Sequence, residues 1–130
     1  MVLVDSSVWI GFLNGSEEDV EELNDLLSPV NRVVICGPVL QEVLQGIRSD
    51  SKREKVKQML LNLPLVESTV DHFVMAAGIY ARMRKKGITV PQVDALIAAH
   101  AVMDNLALVT RDRHFDLIAA GSDLRLMREA

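Results

Sequence analysis

The stretch "VLVDSSVWI" (residues 2–10) decides the fold, because in it a short apolar run ends directly in a carboxylate, Asp5. Val2 and Val4 are β-branched, and the run has the length and character of a buried strand. In an open parallel sheet, the residue that follows a strand lies at the carboxyl edge, where ligands bind. Asp5 is therefore either a cap for the next helix or a ligand for a group that needs negative oxygen.

Further short apolar runs alternate with longer segments of helical period, a pattern that predicts an α/β fold with a central parallel sheet of about four to five strands. The predicted strands are residues 2–4, 33–36, 65–66, 106–109 and 124–127. Predicted helix starts are the capping pairs Ser16 with Asp19 and Ser68 with Asp71, and the first-turn prolines Pro38 and Pro91. Gly87 and Gly121 are predicted helix ends.

The composition indicates one globular domain spanning residues 1–130, with 49% hydrophobic and 25% charged residues. A net charge of -4 shows no global attraction to nucleic acid, so any such role depends on local basic patches or bound cations. The single cysteine, Cys36, excludes an internal disulfide and a cysteine-rich zinc site. No signal-peptide pattern and no membrane-length apolar run is present, so we expect a cytoplasmic protein without a membrane partner.

Three more acids occupy positions comparable to that of Asp5. Asp112 follows the predicted strand in "LALVTRD" (residues 106–112), and Glu42 flanks the apolar stripe of the helix "GPVLQEVLQGI" (residues 37–47). Asp94 lies in "VPQVDALIAAHAVM" (residues 90–103), which is apolar nearly all round and therefore predicts a buried helix. A lone buried charge is costly unless it is paired or bound to a metal.

If these four acids meet, their mutual repulsion requires compensation, because two like charges 4 Å apart repel by about 4 kcal/mol at an effective dielectric near 20. Mg²⁺ and Mn²⁺ prefer carboxylate oxygen and commonly bind through one or two carboxylates plus a substrate phosphate. Such a site can hydrolyse a phosphodiester by activating a water.

Each acid taken alone also has a simpler interpretation. Asp5 and Asp112 can cap the helices that follow them, Glu42 can be a solvated flank residue, and Asp94 can interact with its helix dipole. The histidines have no metal-binding spacing such as HExxH, and the acidic stretch "EEDVEELND" (residues 17–25) is interpreted as an exposed helix. Basic clusters at residues 48–57 and 82–86 are either solvated helix faces or contacts for phosphates.

Four motifs together resemble those of the PIN-domain ribonucleases, and specifically the VapC toxins of type II toxin-antitoxin systems. They are "LVDSSVWI", "PVLQEVLQGI", "VDALIAAHA" and "LVTRDRHF", in this order along nearly the whole chain. The resemblance implies a PIN-like three-layer α/β/α fold and Mg²⁺- or Mn²⁺-dependent hydrolysis of RNA. It also implies a homodimer that is inhibited by a cognate antitoxin protein.

Carried over residue by residue, the resemblance implies catalytic roles for Asp5, Glu42, Asp94 and Asp112. Asp5, Asp94 and Asp112 are then the metal ligands, with Ser6 and Thr110 as auxiliary hydroxyls. Many members of this family have an acid two residues after the position of Asp112, where this chain has His114. Asp116 is the nearest substitute, so Asp112 and Asp116 both stay candidates for completing the acidic cluster.

Two alternatives from other functional classes compete with the ribonuclease interpretation. The first is another acid-rich α/β enzyme, a haloacid dehalogenase-type phosphatase or a receiver domain that accepts phosphate on Asp5. The phosphatase motif requires a second aspartate where this chain has Ser7, and a receiver requires a lysine that residues 106–110 lack. The second is a non-catalytic module whose acids bind a basic partner.

Overall fold

A computed structural model describes residues 1–127. These residues form a four-stranded sheet in the order β3-β2-β1-β4, and all its pairings are parallel. The strands are β1 (Val2–Val4), β2 (Val33–Cys36), β3 (Leu65–Val66) and β4 (Ala107–Val109). The helices are α1 (Ser6–Leu13), α2 (Glu17–Leu27), α3 (Gly37–Gln45), α4 (Asp50–Leu61), α5 (Val70–Lys85), α6 (Gln92–Met103) and α7 (His114–Ala120).

The predicted α/β class with a central parallel sheet is confirmed. Every residue of β2 is buried, which requires helices on both faces of the sheet and so gives the three-layer α/β/α arrangement. The largest fully buried side chains include Trp9 and Phe115, which join the β-branched residues of the strands in the core. Because β1 lies between β2 and β4, the segments that follow these strands meet at one edge of the sheet.

The predicted strand at residues 124–127 is wrong. Leu126 forms only an isolated parallel bridge with Leu108, because both backbone hydrogen bonds of this segment go to that one residue of β4. The start of β4 also differs, since Leu106 is not yet part of the strand. Its N–H donates to the Ala101 carbonyl and closes the end of α6, with Asn105 in the left-handed conformation at φ 56°.

Neither of the two predicted capping pairs forms. Ser16 does precede α2, but its side chain makes no capping hydrogen bond. For α5 the cap is Thr69 and not Ser68, with His72 in the place of the capping-box acid. Ser68 Oγ lies instead 2.7 Å from His100 Nε2, a partner from α6 that the local sequence does not reveal.

The proline and glycine predictions are mostly confirmed. Pro38 lies in the first turn of α3 as predicted. Pro91 was predicted in the first turn of α6, but the helix begins one residue later, so Pro91 is its N-cap. Gly87 follows α5 at φ +78°, and Gly121 is the C-cap of α7.

In residues 1–127, no helix combines the length and apolar composition needed to cross a membrane. One domain over residues 1–130 stays a prediction.

Candidate metal centre

The four predicted acids lie at the carboxyl edge of the sheet. Asp5 follows β1 directly, Asp112 follows β4 after two residues, Glu42 lies in the helix that begins where β2 ends, and Asp94 lies in the first turn of α6. Burial raises the pKa of Glu42, the hydrogen bond from Ser6 opposes this effect, and the charges of Asp5 and Asp112 add to it. Burial first, and then Asp112, Asp5 and Glu42, raise the pKa of Asp94 to about 7. The charges of Asp5 and Asp112 thus act on both Glu42 and Asp94, which places the four acids in one electrostatic cluster.

Asp5 precedes α1 in the position of a helix cap, but its side chain makes no capping bond. Instead, Oδ2 accepts hydrogen bonds from Ser7 Oγ at 2.8 Å and Thr110 Oγ1 at 2.9 Å. Backbone N–H groups of Arg111 and Asp112 donate to these same two hydroxyls, which leaves the hydroxyl protons for Asp5. The turn after β4 thereby fixes the orientation of the carboxylate that follows β1.

Ser6 connects the second pair of segments. Its Oγ lies 2.9 Å from Glu42 Oε1 and 3.5 Å from Asp5 Oδ1. A hydroxyl has one proton, and the shorter contact assigns it to Glu42. Oδ1 of Asp5 therefore receives no short hydrogen bond from the described residues, although Asp5 is only 3% exposed.

Asp94 is 6% exposed, and no hydrogen-bond donor in residues 1–127 reaches its carboxylate. The only ion-pair partner that the described residues give it is His114, whose Nδ1 lies 3.6 Å from Oδ2. A buried carboxylate without donors is destabilising unless a cation or a proton compensates its charge. This side chain has the environment expected of a metal ligand and not that of a helix cap.

Asp112 makes a capping contact and also lies in the acidic cluster. Its Oδ1 accepts the backbone N–H of His114 at 2.9 Å, a capping-type contact at the start of α7. Asp112 also forms a compact group with Asp94 and His114, in which one ligand atom from each lies within 4.8 Å of the others. Asp116 lies on the exposed side of the first turn of α7 and is outside this group.

The structure adds residues that the sequence did not identify. Ser7 is as close to Asp5 as Thr110 is, although its position in the sequence indicated only a turn hydroxyl. Arg111 forms ion pairs with Asp19 at 2.9 Å and Glu22 at 2.8 Å, so the interpretation of residues 17–25 as an exposed helix is wrong for these two acids. Gly11 makes this possible, because a Cβ there would lie 1.8 Å from Asp19 Oδ2.

A cleft of about 560 Å³ adjoins the acidic cluster. Glu42 lines it together with the side chains of Gln41, Gln45 and Gln92 and the half-exposed ring of Phe73. A cleft of this size with a few polar groups is typical of a binding site for an organic ligand. Of the four acids, Glu42 is the one that lines this cleft.

These donors fit a divalent cation. Asp94 and Oδ1 of Asp5 are carboxylate oxygens with little access to solvent and no short hydrogen bond, and Asp112 lies beside Asp94. Like charges at a separation near 4.8 Å repel by roughly 3 kcal/mol at an effective dielectric of 20. A hard divalent cation that prefers oxygen removes this repulsion.

The chain is similar to known proteins of one family. The PIN domain family model matches residues 2–121. Ribonuclease VapC11 of Mycobacterium tuberculosis is 35% identical over 130 residues, with 96% of each chain covered. The crystal structure of VapBC2 from Rickettsia felis bound to a promoter DNA fragment has a chain that superposes with a TM-score of 0.80 at 22% identity, covering 98% of both chains.

A second solved structure, of VapBC-5 from Mycobacterium tuberculosis, a member of the VapBC family of toxin-antitoxin systems, superposes with a TM-score of 0.71. At 18% identity over 98% of both chains, it supports the fold alone. The match of the family model to residues 2–121, together with the 35% identity to a VapC ribonuclease, bears out the resemblance of the four motifs. This chain belongs to the PIN-domain family and, within it, to the VapC ribonucleases.

Proposed function

We propose that this protein is a metal-dependent endoribonuclease and the toxin of a type II toxin-antitoxin pair. The observation that carries this proposal is Asp94, a buried carboxylate without a hydrogen-bond donor among the described residues, grouped with three other acids of which Glu42 lines an open cleft. The ribonuclease names of the relatives support RNA as the substrate. The VapBC complexes among the structural neighbours support an antitoxin as the protein partner.

In the proposed mechanism, Asp5, Asp94 and Asp112 hold Mg²⁺ or Mn²⁺. When bound, such a cation lowers the pKa of a water ligand and neutralises charge on the leaving oxygen. Ser7 and Thr110 keep Oδ2 of Asp5 occupied, which directs Oδ1 to ligation. Ser6 fixes one oxygen of Glu42, and the other oxygen is left to orient the attacking water.

Homodimer formation and a cytoplasmic location stay predictions from the sequence.

Cleavage of a single-stranded RNA tests the reaction directly. We expect hydrolysis with Mg²⁺ or Mn²⁺ and its loss in excess EDTA, because the proposed reaction depends on a cation held by Asp5, Asp94 and Asp112 to activate the attacking water. Restoring Mn²⁺ after chelation should restore cleavage. RNA cleavage that persists in excess EDTA would contradict a metal mechanism. A phosphatase would instead release inorganic phosphate from a phosphomonoester, and a binding module would do neither.

A pair of variants in one short segment tests which acid completes the cluster. Asp112→Asn should reduce RNA cleavage by at least about 10- to 100-fold, because loss of a ligand costs at least as much as loss of the partners around a ligand. Asp116→Asn should change it little, because Asp116 is exposed and lies outside the group formed by Asp94, Asp112 and His114. Cleavage rates at saturating Mn²⁺ give the comparison. Equal losses in the two variants would show that both acids serve the site.

A further inference from the structure

His114 is placed at the acidic cluster by the start of α7. Its backbone N–H donates to Asp112 Oδ1 at 2.9 Å, and its ring Nδ1 lies 3.2 Å from the same oxygen. The same Nδ1 lies 3.6 Å from Asp94 Oδ2. The side chain is 49% exposed, so the core does not hold this ring at the two acids.

These separations match those between neighbouring ligands of one cation. Ligands at about 2.1 Å from an octahedral ion are about 3 Å apart along each edge. The two distances from Nδ1, 3.2 and 3.6 Å, are close to that edge, and the three ligand atoms all lie within 4.8 Å of one another. Asp94 comes from α6, whereas Asp112 shortly precedes α7 and His114 is the first residue of α7, so two separate segments of the chain supply the three ligands.

We propose that His114 is a metal ligand through Nδ1 and that, with Asp94 and Asp112, it gives the site a mixed nitrogen and oxygen donor set that favours Mn²⁺ over Mg²⁺. This inference rests on the proposed metal-dependent function. Mg²⁺ binds oxygen almost exclusively in proteins and keeps much of its water, whereas imidazole is a good ligand for transition metals. An acid at this position, which the family resemblance implied, would make the donor set all oxygen.

The other two histidines cannot both bind one cation in their present arrangement. His72, His100 and Asp104 also form a compact group, but the two rings are stacked with centroids 4.2 Å apart and planes 25° apart. A metal lies in the plane of each imidazole that binds it, and two nearly parallel planes at this separation do not meet at one ion.

Hydrogen bonding explains the stacked pair without a metal. His72 Nδ1 accepts the backbone N–H of Thr69 at 3.0 Å, so Nε2 carries the proton and donates to Asp104. His100 contacts Asp104 through Nδ1 and Ser68 through Nε2. Any imidazole nitrogen on a bound Mn²⁺ is therefore expected to come from His114.

Pulsed electron paramagnetic resonance of the Mn²⁺-loaded protein tests this assignment. We expect a ¹⁴N coupling from a directly bound imidazole in the parent protein. His114→Asp should bind Mn²⁺ without that coupling, and its preference for Mn²⁺ over Mg²⁺, measured by calorimetric titration, should fall by about tenfold. Asp116→Asn, a change in the same turn of α7, should keep both the coupling and the preference.

Three results would overturn the inference: Mn²⁺ bound to the parent without a ¹⁴N coupling, a coupling that persists in His114→Asp, or no Mn²⁺ binding at all. If His114 only donated a hydrogen bond to Asp112, the first of these would be observed. The proposed function is judged separately by RNA cleavage. A parent protein that shows the coupling but cleaves no RNA would keep the inference and reject the function, whereas cleavage without the coupling would do the opposite.

Discussion

Asp94→Asn is expected to lose more than a hundredfold of the RNA cleavage rate while leaving the metal-free protein at pH 8 as stable as its parent or more stable. Loss of a ligand should cost at least as much as loss of the partners around a ligand, which is about 10- to 100-fold. The stability follows from the same side chain, because the amide keeps its shape and removes a buried charge that receives no hydrogen bond from residues 1–127. Cleavage rates and thermal melts in EDTA measure the two effects.

The melts should also be recorded with Mn²⁺. The parent gains stability in proportion to its affinity for the ion, and Asp94→Asn should lose most of that gain. If Asp94 served only the helix dipole, its loss would destabilise the protein by about 0.3–1 kcal/mol with or without metal. A variant that melts lower in EDTA and gains as much from Mn²⁺ as the parent would place Asp94 outside the metal site. Asp116→Asn is the matched control for a change of one acid.

The sequence predicted the sheet and the acidic cluster because both depend on local patterns. The short apolar runs, rich in β-branched residues, marked the strands, and parallel pairing places the carboxyl ends of these strands at one edge of the sheet. The positions of Asp5 and Asp112 therefore followed from where the apolar runs stop. Asp94 was recognisable because it interrupts an apolar helix. The segment at residues 124–127 has the same apolar character, but only Leu126 pairs with β4, and no local signal specifies how many partners a strand finds.

The remaining contacts depend on pairs of residues far apart in the chain. Arg111 and Glu22 are 89 positions apart, and Ser7 and Thr110 are 103 apart, so neither contact leaves a trace in local periodicity. Asp19 occupies a position that suits a capping pair with Ser16, yet its ion pair with Arg111 prevails. His114 was visible as a departure from the family motif, but its distance to Asp94 required the fold.

The stability of the metal-free protein should fall as the pH rises from about 4 to about 7. Burial, and then Asp112, Asp5 and Glu42, raise the pKa of Asp94 from 3.8 to about 7 in the folded state. Between these values the folded protein holds a proton that the unfolded chain has lost, so the free energy of unfolding decreases with rising pH. This group contributes up to roughly 4 kcal/mol, fully present below the lower pKa and lost above the upper one.

The difference in the free energy of unfolding between Asp94→Asn and the parent isolates this effect from the other titrating groups. The raised pKa of Glu42 acts in the same direction, whereas the lowered pKa of His100 destabilises the fold as the pH falls. In EDTA, the variant should therefore be more stable than the parent at pH 8. This advantage should shrink to less than half near pH 5, where Asp94 is protonated in the folded parent but still ionised in the unfolded chain. Saturating Mn²⁺ should stabilise the parent most at high pH, since the cation takes the place of the proton.

Urea titrations of both proteins at pH 5 and pH 8, with EDTA and with Mn²⁺, measure these differences. The contrary result is a difference in the free energy of unfolding between the parent and the variant in EDTA that is the same at both pH values. That result would show that Asp94 is charged in the folded protein throughout this range, contrary to its buried position beside three other acids.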